Sequence, residues 1–270
     1  MVHETPTGRG EASFPDRSSV HDRGDGLHTS ADAGWARWLG AAFLAQFITG
    51  VAAAILAWPV TSGQLSAVLV SIAHHVVQIR LDIVANATTW VGIIVMTSLL
   101  YVLLRGRSKP VALVALVLWV AEVTLSVVGA VGLYALLTLS ADFVRGGAPL
   151  TSSYETLGAL FQGLEQHAAD LSLVFFSLGA LLWYALLFTS RLVPRGLSVW
   201  GLLAMLPVLA GALLMAWDHS LTVPPLLELP YLPFELVIGL WLLVRGASHP
   251  LSTASGTPRM AGAARPEQGA

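Results

Sequence analysis

The sequence predicts an all-α membrane protein in which six transmembrane helices form one bundle. Of its 270 residues, 55% are hydrophobic and only 11% are charged, whereas a soluble domain carries roughly 25% charged residues. The apolar residues are gathered into runs of about twenty or more, and a helix needs that length at ~1.5 Å per residue to cross a hydrocarbon core of roughly 30 Å. Both observations require lipid around the chain, so the bilayer is its first predicted partner.

Two polar tails flank the predicted membrane domain. Residues 1–34 and 248–270 are rich in Gly, Ser, Thr, Pro or charged side chains and lack apolar periodicity, a composition typical of disorder. Residues 35–247 form the predicted transmembrane domain, and its first apolar run lies too far from Met1 for a cleaved signal peptide. The predicted spans are 35–59, 81–104, 111–139, 171–190, 197–217 and 226–244.

The fourth span shows the pattern most clearly. Residues 171–190 carry no charge, the polar segment 165–170 precedes them, and Arg191 and Arg195 follow. The segment 64–80 differs, because its apolar residues follow a helical stripe between polar ones. It is predicted to be an amphipathic helix in the interface or an early turn of the next helix.

Lysine and arginine predict the orientation of the bundle. They are concentrated in the connections between spans two and three and between spans four and five, whereas the opposite connections are mostly acidic. Because cytoplasmic loops carry the excess of basic residues, both termini are expected in the cytoplasm of a multi-pass protein of the inner cell membrane. The basic connections contain Arg105, Arg107, Lys109, Arg191 and Arg195.

Several function classes are excluded by composition and motif. The chain contains no cysteine, which removes disulfides and thiolate catalysis. No stripe of basic and aromatic residues follows a phosphate backbone, so nucleic acid is not an expected partner. The chain also lacks a Walker loop, a dinucleotide fingerprint and a serine-hydrolase elbow. No cofactor is identified, and no residue is assigned to a metal.

Polar side chains inside the spans mark the candidate binding site. A charge at the bilayer centre costs about 2.5 to 3.5 kcal/mol, so each one requires a partner or a purpose. Two glutamates and a glutamine are predicted near mid-depth, and three further polar residues in the outer third. Our hypothesis places all six around one cavity that opens to the outside. They are Glu122, Glu235, Gln46, Asn86, His167 and Asp170.

Three functions remain open at this point. The leading one is binding and transport of a small molecule or ion at Glu122 and Glu235, which a homo-oligomer would favour because six spans are few for a transporter. The second is a metal-assisted hydrolase using His167, Asp170 and a glutamate, which needs three ligands at ~2.0 to 2.2 Å from one point. In the third, a membrane scaffold or sensor, the glutamates only bond neighbouring helices and His167 and Asp170 are hydrated at the headgroups.

Three stretches resemble a bacterial integral-membrane family catalogued as domain of unknown function 4386. They are SRLVPRGLSVWGL at 190–202, preceded by FFSLG at 175–179, then VAE at 120–122 and LPFELVIGLWLLVRG at 232–246. The resemblance covers roughly residues 35–246 and implies a six-helix membrane protein, with no established activity. Two positions depart from the expected pattern, since Trp119 replaces an arginine and Phe234 replaces a glutamine.

Overall fold

The structure, a computed structural model, describes residues 18–147, 152–218 and 229–245. Within these ranges the chain forms seven α-helices and no β-strand, which confirms the all-α prediction. The helices are α1 (Ser18–Thr61), α2 (Leu65–His74), α3 (Val76–Leu104), α4 (Lys109–Arg145), α5 (Ser152–Ser190), α6 (Arg195–Trp217) and α7 (Tyr231–Arg245).

Five helices are long and apolar enough to cross a membrane, as expected of a multi-pass membrane protein. They comprise Gly34–Thr61 of α1, α3, α4, Ser153–Ser190 of α5, and α6. The outward surface is correspondingly apolar, with Ile48, Ile55 and Leu203 each more than 60% exposed. The last helix, α7, has 15 residues. Residues 226–228 of the predicted sixth span lie outside the described residues.

Some helix boundaries differ from the predicted ones. The backbone is helical from Ser18, within the stretch that the sequence assigns to a tail, while the apolar part of α1 begins at Gly34. The helix α4 has 37 residues, or ~55 Å at 1.5 Å per residue, so it extends beyond a core of roughly 30 Å. The predicted tails at 1–17 and 248–270 lie outside the described residues.

The segment predicted to be amphipathic divides at His75, whose backbone leaves helical geometry at φ −117° and ψ 33°. Residues 65–74 form the separate helix α2, and residues 76–80 are the first turn of α3. Val68, Leu69 and Ile72 bury the apolar face of α2. They pack with Val60 of α1 and with residues of α3 and α4, so protein rather than lipid covers this face.

The other six helices form a closed ring. Each contacts the next in the order α1, α3, α4, α5, α6 and α7, and α7 contacts α1. The short helix α2 packs on α1, α3, α4 and α5 at one end of this ring. We call this end, where α4 connects to α5, the α2 end. The opposite end, which carries Arg105, Arg107, Arg191 and Arg195, is the arginine end.

Aromatic rings fill the interior of the ring toward the arginine end. Trp119 of α4 stacks on Phe176 of α5 with centroids 5.6 Å apart and meets Trp183 edge-on at 6.3 Å. The Trp119 indole N–H donates a 3.0 Å hydrogen bond to the Phe176 carbonyl. On the other side Tyr184 packs edge-on against Phe234 of α7 at 4.9 Å. We call this group of rings the aromatic core.

Two glycines make room for the buried rings of Trp119 and Phe234. A Cβ added to Gly179 would lie 2.4 Å from Cδ1 of Trp119, and one added to Gly201 would lie 2.5 Å from Cζ of Phe234. Trp119 is 1% exposed and Phe234 is fully buried. Each ring is therefore held against helix backbone in a space that only glycine leaves open.

The Gly179→Ala variant tests this close packing. Its methyl group overlaps a buried indole, and overpacking of a core costs about 1–3 kcal/mol. The matched control on the same helix is Gly163→Ala, where a Cβ meets no atom within 4 Å and alanine gains roughly 0.5–1 kcal/mol of helix stability over glycine. Thermal unfolding in lipid nanodiscs should show a lower midpoint for Gly179→Ala and an equal or higher one for Gly163→Ala. Equal shifts in both variants would contradict the packing.

Candidate functional site

A cavity of about 270 Å³ lies between α1, α3, α4 and α5. On one side it adjoins the aromatic core, because Trp90 of its wall packs against the cluster that contains those rings. On the other side it adjoins the α2 end, because Ile83 and Leu133 of its wall pack in the cluster beneath α2. The Cα atoms of α1 and α5 stay more than 8 Å apart over the described residues, so the two helices border the cavity from opposite sides. Its polar lining residues are Thr61, Asp82, Asn86, Ser126, Glu165 and Ser172.

Asp82 is the most deeply buried charged residue in the wall of this cavity. Only 1% of its surface is exposed, and it accepts a 2.8 Å hydrogen bond from Asn86 Nδ2, one helical turn further along α3. Glu165 contributes a second carboxyl group from α5. Among the described residues that line the cavity there is no Lys, Arg or His, so the charge of the wall is negative.

Glu122 adjoins the cavity without lining it. It is 7% exposed, and its Oε1 accepts a 3.2 Å hydrogen bond from Ser126 Oγ, one turn further along α4. Ser126 itself faces the cavity. The other oxygen of Glu122, Oε2, is buried and has no hydrogen-bond partner in the part of the chain that the structure describes. A buried carboxyl oxygen of this kind is costly unless a partner reaches it.

Glu235 and Gln46 bond each other at the contact between α7 and α1. Gln46 Nε2 donates a 3.0 Å hydrogen bond to Glu235 Oε1, and the Tyr231 hydroxyl donates to the same oxygen from one turn earlier on α7. All three side chains are at most 8% exposed. None of them lines the cavity. This arrangement has the geometry of a polar contact that joins two membrane helices.

His167 and Asp170 lie on α5 but face different surroundings. His167 is exposed, whereas Asp170 is 8% exposed. Each has an interaction partner within the structure, and neither lines the cavity. The structure thus divides the six predicted residues. Asn86 lies in the cavity wall and Glu122 beside it, Gln46 and Glu235 meet between α1 and α7, and His167 and Asp170 lie elsewhere on α5.

Comparison with known families assigns the chain to one of them. A family model described as "Domain of unknown function (DUF4386)" matches residues 38–246. The chain belongs to the DUF4386 family. No curated protein and no solved structure matches it. The function of this DUF4386 protein therefore has to be argued from its cavity and from the residues around it.

The two carboxylates that line the cavity were not among the six residues predicted for the DUF4386 chain. Asp82 stands at the start of the predicted span 81–104, and Glu165 stands in the polar segment before the span 171–190. The helix α3 begins at Val76, so Asp82 lies nearly two turns inside it. The available signal was Asn86, which lies four residues later and therefore shares a helix face with Asp82.

The metal-hydrolase hypothesis required three converging ligands. Among the described residues, no group of three His, Asp, Glu or Cys side chains is placed to hold a metal ion. Neither His167 nor Asp170 lines the cavity, and neither Glu122 nor Glu235 does. The described part of this DUF4386 protein therefore does not supply the ligand set that such a hydrolase needs.

A double-mutant cycle tests the contact between Gln46 and Glu235. Gln46→Leu removes one of the two donors to Glu235, and Glu235→Leu leaves Gln46 and Tyr231 without their acceptor. An unsatisfied buried polar group costs about 1–3 kcal/mol. We expect the double variant to lose less stability than the two single losses combined, by about 0.5–2 kcal/mol, as measured by unfolding in nanodiscs. Pairing Gln46→Leu with Ser98→Ala, an exposed residue of α3, should give additive losses. Additive stability losses in both pairs of variants would contradict the hydrogen bond between Gln46 and Glu235.

Proposed function

We propose that this DUF4386 protein binds a small polar molecule or ion in the cavity between α1, α3, α4 and α5, as part of a transport or sensing function. The observation that carries the proposal is the cavity itself, about 270 Å³ in volume and lined by Asp82, Asn86 and Glu165. A volume of this size holds several water molecules at ~30 Å³ each, or one small solute.

The polar groups around the cavity support a ligand. Ionisable side chains are rare inside membrane spans and are expensive there, at about 2.5 to 3.5 kcal/mol for a charge at the centre. The chain nevertheless carries Asp82 and Glu165 in the wall and Glu122 one turn away. Glu122 adjoins this space through Ser126, and its buried Oε2 has no hydrogen-bond partner among the described residues. A bound solute that donates hydrogen bonds or carries positive charge is complementary to the carboxyl group of Asp82 in the cavity wall.

In this proposal the six residues predicted from the sequence have different roles. Asn86 contacts the ligand, and Glu122 supports the ligand site through Ser126. Gln46 and Glu235 hold α7 against α1 and so maintain the ring around the cavity. His167 and Asp170 take no part in the ligand site, because neither lines the cavity.

The finer topology is also part of the proposal. We infer six spans, with α7 as the last one, in the inner membrane of a bacterium. The arginine end faces the cytoplasm together with both termini, because basic connections remain on that side. The cavity then lies toward the outer face. A homo-oligomer is included, since six spans are few for a transporter that works alone.

Single cysteines test the orientation, because the natural chain contains none. Gly106→Cys lies at the arginine end, where a Cβ meets no atom within 4 Å, and Asp142→Cys lies at the α2 end on a side chain that is 53% exposed. In intact spheroplasts a membrane-impermeant maleimide should label Asp142→Cys and leave Gly106→Cys unlabelled until the membrane is broken. The reverse pattern would overturn the proposed orientation.

The cavity itself is tested by a matched pair on α4. Ser126→Cys faces the cavity, whereas Thr124→Cys is exposed on the outer face of the same helix, where lipid is expected. A methanethiosulfonate reagent that carries an ammonium group should modify Ser126→Cys from outside and leave Thr124→Cys unmodified, because only an aqueous site ionises the thiol.

Charge selectivity is the second readout of the same pair. The negative wall should make Ser126→Cys react about tenfold or more faster with the ammonium reagent than with a sulfonate reagent of similar size. If Ser126→Cys is as unreactive as Thr124→Cys toward both reagents, the cavity is not open to water and the proposed function fails.

A further inference from the structure

We propose that the ligand of the cavity is an organic ammonium ion, whose charged end lies at Asp82 and Glu165 and whose carbon body extends toward Trp90. This inference rests on the proposed function and names the chemical class of its ligand. It follows from the charge of the wall, from the order of the lining residues along the helices, and from the size of the space.

The charge of the wall selects a cation. Both ionisable residues of the lining are carboxylic acids, Asp82 and Glu165, and no basic residue lines the cavity within the described ranges. The one hydrogen bond described for Asp82 comes from the neutral amide of Asn86. A carboxylate in this position is stabilised by an opposite charge far more than by a neutral donor.

The lining residues are ordered along the cavity. Asp82, Asn86 and Trp90 follow one another at intervals of four residues and share one face of α3. Asp82 and Trp90 are therefore ~12 Å apart along the helix axis at 1.5 Å per residue. Glu165 of α5 lies at the α2 end with Asp82, because α5 runs from that end toward the arginine end. Both acids thus occupy one end of the cavity.

The other end is neutral and suits a carbon body. Trp90 lies there, together with Gly50 of α1 and the hydroxyl groups of Ser126 and Ser172. Between the two ends, the walls consist mainly of small apolar side chains, including Ala53, Ala54, Ala57, Ala130 and Ala169. An indole ring attracts the carbon substituents of an ammonium ion through both apolar contact and its negative face.

The size of the space argues against a bare inorganic ion. A cavity of about 270 Å³ is far larger than a single ion, and metal ions need several ligands close to one point. The described residues contain no cluster of three His, Asp, Glu or Cys side chains placed for that purpose. A molecule that combines one positive charge with an apolar body fills the volume and matches both of its ends.

The binding experiment uses phenethylammonium as the probe, with the full chain in nanodiscs and empty nanodiscs as the reference. Two related probes separate the contribution of the charge to binding from that of the carbon body. The neutral analogue 2-phenylethanol keeps the carbon body, and methylammonium keeps the charge. We expect phenethylammonium to bind at least tenfold more tightly than either one by isothermal titration calorimetry. Equal binding of phenethylammonium and 2-phenylethanol would overturn the inference.

Asp82→Asn tests the charged end. It should weaken phenethylammonium binding by about tenfold or more, since a buried charge loses its partner, and leave 2-phenylethanol binding unchanged. The matched control is Asp142→Asn, which removes an exposed aspartate paired with Arg145 outside the cavity and should change neither. Unaltered phenethylammonium binding in a folded Asp82→Asn variant would overturn the inference.

Trp90→Leu tests the neutral end. It should weaken phenethylammonium binding about fivefold, within the range of a desolvated cation–aromatic contact, and leave methylammonium binding unchanged. Trp58→Leu, at a ring that is 75% exposed on α1, is the control and should leave both unchanged. If Trp90→Leu behaves like Trp58→Leu, the carbon body does not reach the neutral end and the inference is wrong.

A protection experiment keeps Asp82 and Trp90 intact and so does not depend on how those variants fold. Phenethylammonium should slow the modification of Ser126→Cys by the ammonium reagent, and 2-phenylethanol should not. Labelling of Ser126→Cys without protection by phenethylammonium would contradict the organic ammonium ligand while leaving the proposed cavity function in place. Absence of labelling would instead remove the proposed function.

The organic ammonium group can belong to a free amine or to the ethanolamine headgroup of a lipid. Nanodiscs of phosphatidylglycerol with and without phosphatidylethanolamine distinguish the two. If added phosphatidylethanolamine competes with phenethylammonium, the ammonium group belongs to a lipid. If it has no effect, the ligand is a free amine. Both results support an organic ammonium ion.

Discussion

The hydrocarbon core of a bilayer offers no water to an unpaired polar group, and this constraint shapes the whole bundle. Backbone polar groups are paired because the chain forms helices. Polar side chains bond one another between helices. Examples are the 2.7 Å hydrogen bond from Thr89 to Thr49 between α3 and α1 and the bond from Gln46 to Glu235 between α1 and α7. Among the described residues, Glu122 Oε2 is a buried oxygen that has no such partner.

The interior has two parts with different physical character. Toward the arginine end, Trp119, Trp183 and Phe234 are packed against helix backbones and leave little free volume. Toward the α2 end, the residues of α1, α4 and α5 that face Asp82 are mainly small, and the cavity lies between them. Passage of a solute through the bundle therefore requires the aromatic core to move. At the α2 end, the short helix α2 and the buried apolar cluster beneath it cover the cavity.

The long apolar helices were predictable from the sequence, whereas the partners of the polar residues were not. Runs of apolar residues locate α3, α4 and α6, because a helix that crosses a bilayer needs about twenty apolar residues. Which helix a side chain faces depends on the order of helices around the ring, and that order follows from side-chain packing over the whole bundle. Glu122 and Glu235, predicted at similar depth, for this reason belong to different surroundings.

Asp82 illustrates a second limit of the sequence. Hydropathy places the start of its span at residue 81, since Gln78 and Arg80 interrupt the apolar run. The helix α3 nevertheless includes both residues, of which Arg80 is exposed and Gln78 is bonded to a neighbouring helix. Gln78 Nε2 donates a 2.8 Å hydrogen bond to the carbonyl of Leu56 on α1. A residue that hydropathy assigns to the membrane surface is thereby carried into the interior, and only the tertiary structure reveals it.

The most direct test of the central claim is an experimental map of the protein in lipid nanodiscs, at a resolution that shows ordered solvent. The cavity proposal predicts density for water or a small solute between α1, α3, α4 and α5, within hydrogen-bonding distance of Asp82. A map in which α1 and α5 close on each other, or in which a lipid chain fills the space beside Asp82, would contradict it.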